Sequence, residues 1–303
     1  MTRFGELLRK QGRFLLENET YALAYIAILA LVPFAAWLSA AIIALLTLRK
    51  GWMPGFKGVA VGVLALLLLS SLSSSWSLAF ITAVMAFLPC YLAAGVLHST
   101  TNWRFAVAFI VLQALIGILL IHWLAPEFIN EQYQFIQAVL KQLERDDVIA
   151  DLLNNQNTVN PIVIANYVMG IQAVSIVLST IASLMLARSV QSGLFYPGGY
   201  RQEMLNFRAS SLGVILLVIA VVAAYQENPL AISVLPVLVV YYAGAGISIG
   251  FNALYKGKKG MSRLILLLIP LILLPFVIIP IYVVLGALDS LFNFRLRLPV
   301  KTG

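Results

Sequence analysis

Residues 21–48 run for 28 positions without a charged side chain, and several further runs of the same kind follow. About 20 consecutive apolar residues suffice for an α-helix to cross the hydrocarbon of a bilayer. In that solvent every backbone N–H and C=O must be paired within the protein, so a chain made of such runs is confined to helices or closed barrels. The runs are long and continuously apolar rather than alternating, which selects helices. Of 303 residues, 61% are hydrophobic and 11% charged, against about 25% charged in ordinary soluble domains. Twelve acidic and twenty basic side chains are too few to cover a soluble surface of that size.

The expected fold is therefore all-α: a polytopic transmembrane helical bundle with eight or nine hydrophobic segments, one membrane domain over residues 1–303. Pro33 divides 21–48 into one kinked helix or a tight pair of short helices. Further segments are 59–75, 78–97, 105–124, 160–187, 209–225, 230–254 and 264–287. Residues 49–58, "RKGWMPGFKG", read as a loop. Residues 1–20 are basic and amphipathic, either an interfacial helix or a solvated tail. Residues 126–158 carry six acidic and two basic side chains between apolar positions at helical spacing, an amphipathic helical insertion on the extracytoplasmic side. Residues 288–303 form a C-terminal interfacial tail.

Basic residues set orientation, because positive connectors stay on the cytosolic side. With the N-terminus inside and each run crossing once, fifteen of the twenty Lys and Arg fall in the cytosol. Lys141, Arg145, Arg295, Arg297 and Lys301 fall outside. The bacterial inner membrane is the expected location. The net charge of +8 then reflects topology and anionic headgroups. The expected partner is the bilayer, with a second membrane protein as a further candidate and no nucleic acid. The single cysteine, Cys90, excludes an intrachain disulfide.

No HExxH, Walker A, GxSxG or CxxC pattern occurs, so no enzyme, metal or cofactor is expected. His98 and His122 lie at opposite ends of neighbouring segments. Ionisable residues are nearly absent from the spans, which weighs against a proton-coupled pump. Gln172, Ser175, Ser179 and Ser183 recur at intervals of three and four and share one helix face, either a packing face or the lining of a solute site. Ala36, Ala40 and Ala44, and Gly246 with Gly250, are small residues at four-residue spacing that let helix backbones approach closely. They would serve packing within this chain or against a second protein. In 192–208, Pro197-Gly198-Gly199 makes a tight turn and a short surface helix follows. Arg201, Glu203 and Arg208 would meet lipid phosphate, each other or a partner. Asp289 would cap an interfacial helix, with Arg295 and Arg297 reaching phosphates or pairing with it.

Three stretches carry a family resemblance: "ALLTLRKG" ending at Gly51, "LFYPGGYRQE" at 194–203 with "NFR" at 206–208, and "GALDSLFNFRLR" at 286–297. On these residues the chain resembles the YybS-like family of bacterial multispanning membrane proteins. That family is distantly similar to the substrate-binding membrane subunits of energy-coupling-factor transporters. In those subunits an alanine repeat on an early helix meets the coupling subunit, and Ala36, Ala40 and Ala44 would match it. The expectation is transport-related binding of a small, poorly charged solute without an ATPase of its own. The alternative is a non-transporting scaffold or assembly factor acting through 192–208.

Overall fold

The computed structural model describes residues 3–70, 76–143, 160–254, 267 and 269–297. Among the described residues every regular element is helical. In chain order they are α1 (Arg3–Glu17), α2 (Glu19–Leu31), α3 (Ala36–Lys50), α4 (Trp52–Ser70), α5 (Trp76–Thr100), α6 (Trp103–Leu124), α7 (Pro126–Leu143), α8 (Pro161–Phe195), α9 (Gly199–Leu205), α10 (Leu212–Tyr225), α11 (Pro229–Leu254) and α12 (Pro275–Phe292). A 3₁₀ turn, Phe294–Arg297, follows. Five helical stretches are long and apolar enough to cross a membrane: Phe80–Thr100, Trp103–Leu124, Ile162–Phe195, Pro229–Asn252 and Pro275–Phe292. The remaining apolar runs form shorter helices, so the eight or nine expected segments are not all of spanning length. The serine cluster at 71–75, the acidic remainder of the insertion at 144–158 and the basic loop at 256–263 lie outside the described residues.

Where the sequence reads one continuous membrane domain, the contacts gather into two compact units. The first comprises Met1–Ile110 and Ile176–Phe207, the second Val111–Ser175 and Arg208–Gly303. Helices α6 and α8 contribute residues to both.

In the first unit, 21–48 is a pair of short helices. Pro33 has no N–H to continue a helix, and the chain breaks between Leu31 and Ala36. Phe34 takes a positive φ of 61° at the tip. The hydroxyl of Ser39 donates to the Ile26 carbonyl at 2.8 Å and ties the pair together. Helix α3 runs parallel to α8. Ser183 donates to the Trp37 carbonyl at 2.7 Å near one end of α3, and Gln191 to the Leu48 carbonyl at 2.9 Å near the other. Helix α1 lies on the Gln191 end of α8, where a side chain at Gly12 would strike Val190. The α2–α3 pair thus enters and leaves from one end of the unit. Its helices have 13 and 15 residues, about 20 Å each, against about 30 Å of hydrocarbon.

Residues 49–58 are not a loop. Gly51 alone, at φ 89°, separates α3 from α4. Pro54 sits in the first turn of α4, where its missing N–H costs nothing. Ala40 and Ala44 are buried, and α3 packs on α4 and α5. Cys90 of α5 is buried 3.6 Å from the Ala40 carbonyl.

In the second unit α11 packs against α10 and α12. At the α11–α12 crossing, a Cβ on Gly246 would overlap the Tyr282 carbonyl, and one on Gly286 the Tyr242 carbonyl. Gly250 faces Leu267. The hydroxyls of Tyr241 and Tyr242 hold Ser210 at the entry to α10, one accepting its N–H and the other donating to its C=O, each at 2.7 Å. Helix α7 supplies the first part of the expected amphipathic insertion, with Phe135 exposed.

Candidate functional site

The N-terminal helix, the α3–α4 junction, the α5–α6 turn and residues 188–203, all assigned to the cytosol by the sequence, meet at one end of the first unit. The last carbonyls of a helix have no partner within it. Leu48, near the end of α3, has its carbonyl capped twice, by Gln191 Nε2 of α8 and by His98 Nδ1 of α5 at 3.0 Å. A backbone carbonyl only accepts, so His98 donates from Nδ1. Arg49 lies over the Phe195 ring at 3.9 Å, and the Arg9 side chain packs against Gly193.

From Gln191 a polar chain continues. Arg188 Nη1 donates to Gln191 Oε1 at 2.6 Å, and its Nε and Nη2 form a two-point pair with the Glu203 carboxylate of α9. Trp103 Nε1, at the start of α6, donates to the same carboxylate at 2.8 Å. Only 13% of the Arg188 side chain and 23% of the Glu203 side chain are exposed, so water does little to screen the pair. Two parallel charge-assisted bonds fix the orientation of α9. The Ser192 hydroxyl accepts the Tyr200 N–H at 3.0 Å and closes the turn at Gly198, where φ is 90°. Tyr200 packs edge-on against Trp103. Burial, and after it the Glu203 charge, pushes the Tyr200 phenol up to about 12.

Between this short helix and the α5–α6 turn is an open cleft of about 480 Å³. Its lining includes Asn102, Trp103, Arg104, Gln202, Glu203 and Asn206. A second cavity of about 160 Å³, beneath α1, is apolar. None of Gln172, Ser175, Ser179 and Ser183 lines either one. Gln172, Ser175 and Ser179 are exposed on α8, and Ser175 returns its hydroxyl to the Ile171 carbonyl. Ser183 is buried. The buried member, Ser183, makes a helix-to-helix bond.

A second polar cluster lies within the second unit. Arg295 Nε pairs with Asp289 Oδ2 at 2.9 Å, and Arg208 Nη2 donates to the Ser290 carbonyl at 2.6 Å. Asp289 is fully buried, and its Oδ1 and Arg208 Nε have no hydrogen-bond partner among the described residues. Asp289 thus stands in the last turn of α12 rather than at a helix start, and pairs with Arg295 as one sequence alternative has it. Arg208 is held by α12. The side chains of Arg201 and Arg297 lie outside the described set. A third polar link in this unit joins α6, α8 and α11: His122 faces the Asn166 side chain at 3.1 Å, and Ser233 donates to the Asn166 carbonyl at 3.0 Å.

Sequence reasoning missed Arg188, Gln191 and Trp103 as site residues. Their partners lie between 3 and 143 positions away, and helical periodicity reports only neighbours on one face. No protein-family model, curated protein or solved structure matches this chain.

Proposed function

We propose that this chain is a multi-pass protein of the bacterial inner membrane that binds a small solute in the cleft between the α5–α6 turn and α9. It serves transport without an ATPase or catalytic centre of its own. The observation that carries this reading is the cleft itself, about 480 Å³ with a polar lining that includes Glu203, held in place by Arg188 and Trp103. Binding sites are concavities with a few fixed polar groups, and this one is built at the ends of apolar helices. Two of the polar stretches that carry the YybS-like resemblance contribute residues to the two clusters: Glu203, Asp289 and Arg295 to ion pairs, and Arg208 to a bond with the Ser290 carbonyl. On this reading the five long spans and the shorter apolar helices are counted together as the eight or nine hydrophobic segments, with the basic connectors placed inside.

The test is mass spectrometry of small molecules that co-purify with the full chain, alongside Gln202→Trp, which fills the cleft. The wild type retains a solute and the variant loses it. Equal retention by both proteins overturns the reading, as does loss on Gln172→Leu with Gln202→Trp unaffected. The scaffold alternative through 192–208 gains only if Arg201 and Arg208 substitutions abolish a stable complex that Gln202→Trp leaves intact.

A further inference from the structure

We infer that the cleft takes a phosphate-type anion, held by Arg104 at the level of the lipid headgroups. The inference rests on the reading of this cleft as the ligand site and names the chemistry of its ligand. Charge argues first. Arg104 and Glu203 are the charged side chains of the lining. Glu203 accepts three bonds, two from Arg188 and one from Trp103, so its charge is answered from within the protein. The Arg104 guanidinium makes no hydrogen bond or ion pair among the described residues. One positive charge is left facing the cleft.

The neutral lining complements it. The side-chain amides of Gln202 and Asn206 are exposed and have no bonded partner among the described residues. Each offers two N–H donors to an anion. Asn102 spends its Oδ1 on the Arg104 backbone N–H at 2.9 Å.

Depth argues last. Arg104 is the second residue of a 22-residue apolar helix, and Phe105, directly after it, is 57% exposed. The guanidinium therefore stands where the hydrocarbon ends. Its fork matches phosphate oxygens two at a time, which a neutral solute does not do. A phospholipid headgroup and a soluble phosphate offer the same chemistry.

Melting of the purified full chain separates these cases. In detergent, inorganic phosphate is compared with chloride at equal ionic strength. In nanodiscs, phosphatidylcholine alone is compared with phosphatidylcholine plus phosphatidylglycerol. The expected result is a higher Tm with phosphate or with phosphatidylglycerol, and an apparent Kd for that probe raised about tenfold or more by Arg104→Gln. Lys57→Gln, at an exposed cation outside the cleft, keeps the wild-type response. A response to inorganic phosphate assigns a soluble ligand, and a response to phosphatidylglycerol alone assigns the headgroup. If Arg104→Gln is not recovered folded, Arg104→Lys keeps the charge, loses the fork, and must also weaken the phosphate response. The inference is overturned if neither probe raises the wild-type Tm, or if the Arg104 variants respond like the wild type. A neutral co-purified solute whose stabilisation survives Arg104→Gln but not Gln202→Trp overturns the anion and leaves the cleft reading standing.

Discussion

Glu203 shows how a polar residue can be indispensable to a membrane protein without being reactive. Its carboxylate cancels a guanidinium that is nearly buried, and removing one member of such a pair leaves the other charged and desolvated. Glu203→Ala is expected to cost about 3 kcal/mol of stability, read as a shift in denaturant-induced unfolding in detergent. The double variant Arg188→Met/Glu203→Leu should recover most of that loss, whereas additive losses would show that the two do not act as a pair. Tyr200 supplies a pH dependence. Its phenol is raised from 10 to about 12 by burial and then by Glu203. A raised acid is neutral in the fold where it has already ionised in the unfolded chain. Its contribution is complete below pH 10 and fades as pH rises toward 12. Tyr200→Phe should therefore lose less Tm than the wild type over that window. None of this pairing was legible in the sequence. Arg188 and Glu203 are 15 positions apart and Trp103 is 100 from Glu203, so only the folded chain brings them together.

At the scale of the helix more could be read. Pro33 predicted a break and the structure has one; Gly198 predicted a turn, and its positive φ demands a residue without a Cβ. Four-residue spacing predicted close packing at Gly246, which forms one half of the α11–α12 crossing. The other half, Gly286, was not singled out in the sequence, because no second glycine lies four positions from it. Two helices extend into stretches whose polarity suggests a loop. "RKGWMPGFKG" begins a helix at Trp52, and α8 runs through Gln191 to Phe195 because its polar side chains find partners on other helices. Within a bilayer lipid is as apolar as leucine, so α11 and α12 are held by backbone proximity rather than by exclusion of water. Gly246→Ala and Gly286→Ala should each destabilise by about 1–3 kcal/mol through overpacking, measured by unfolding in a denaturing detergent. Gly244→Ala, which has open space around its Cβ position, should be near neutral, and equal losses at all three glycines would discount the crossing.

For the whole molecule, the bond between Arg208 and Ser290 changes how the chain is threaded. Counting one crossing per hydrophobic run puts Arg208 in the cytosol and Arg295 outside. Opposite faces of the hydrocarbon are about 30 Å apart, a distance no arginine side chain bridges, yet Arg208 Nη2 reaches the Ser290 carbonyl at 2.6 Å. The end of α12 therefore lies at the depth of Arg208. The α11–α12 contacts agree, since Tyr242 meets both Ser210 and Gly286. If 192–208 is cytosolic, Arg295 and Arg297 join the fifteen basic residues already placed there, and the charge bias becomes more one-sided, as the positive-inside rule favours. The expectation can be checked with cysteines introduced singly at Gly198 and Asn293. No apolar run separates Gly198 from Arg208, and Asn293 follows α12 directly. The native Cys90 is buried and contributes little background. An impermeant maleimide applied to intact cells should leave both positions unlabelled, and both should react in inverted vesicles. Labelling of position 293 alone from outside would break the Arg208–Ser290 link and restore a full crossing for α12. Labelling of both from outside would keep the link but reverse the orientation, placing the Arg104 cleft on the outer leaflet.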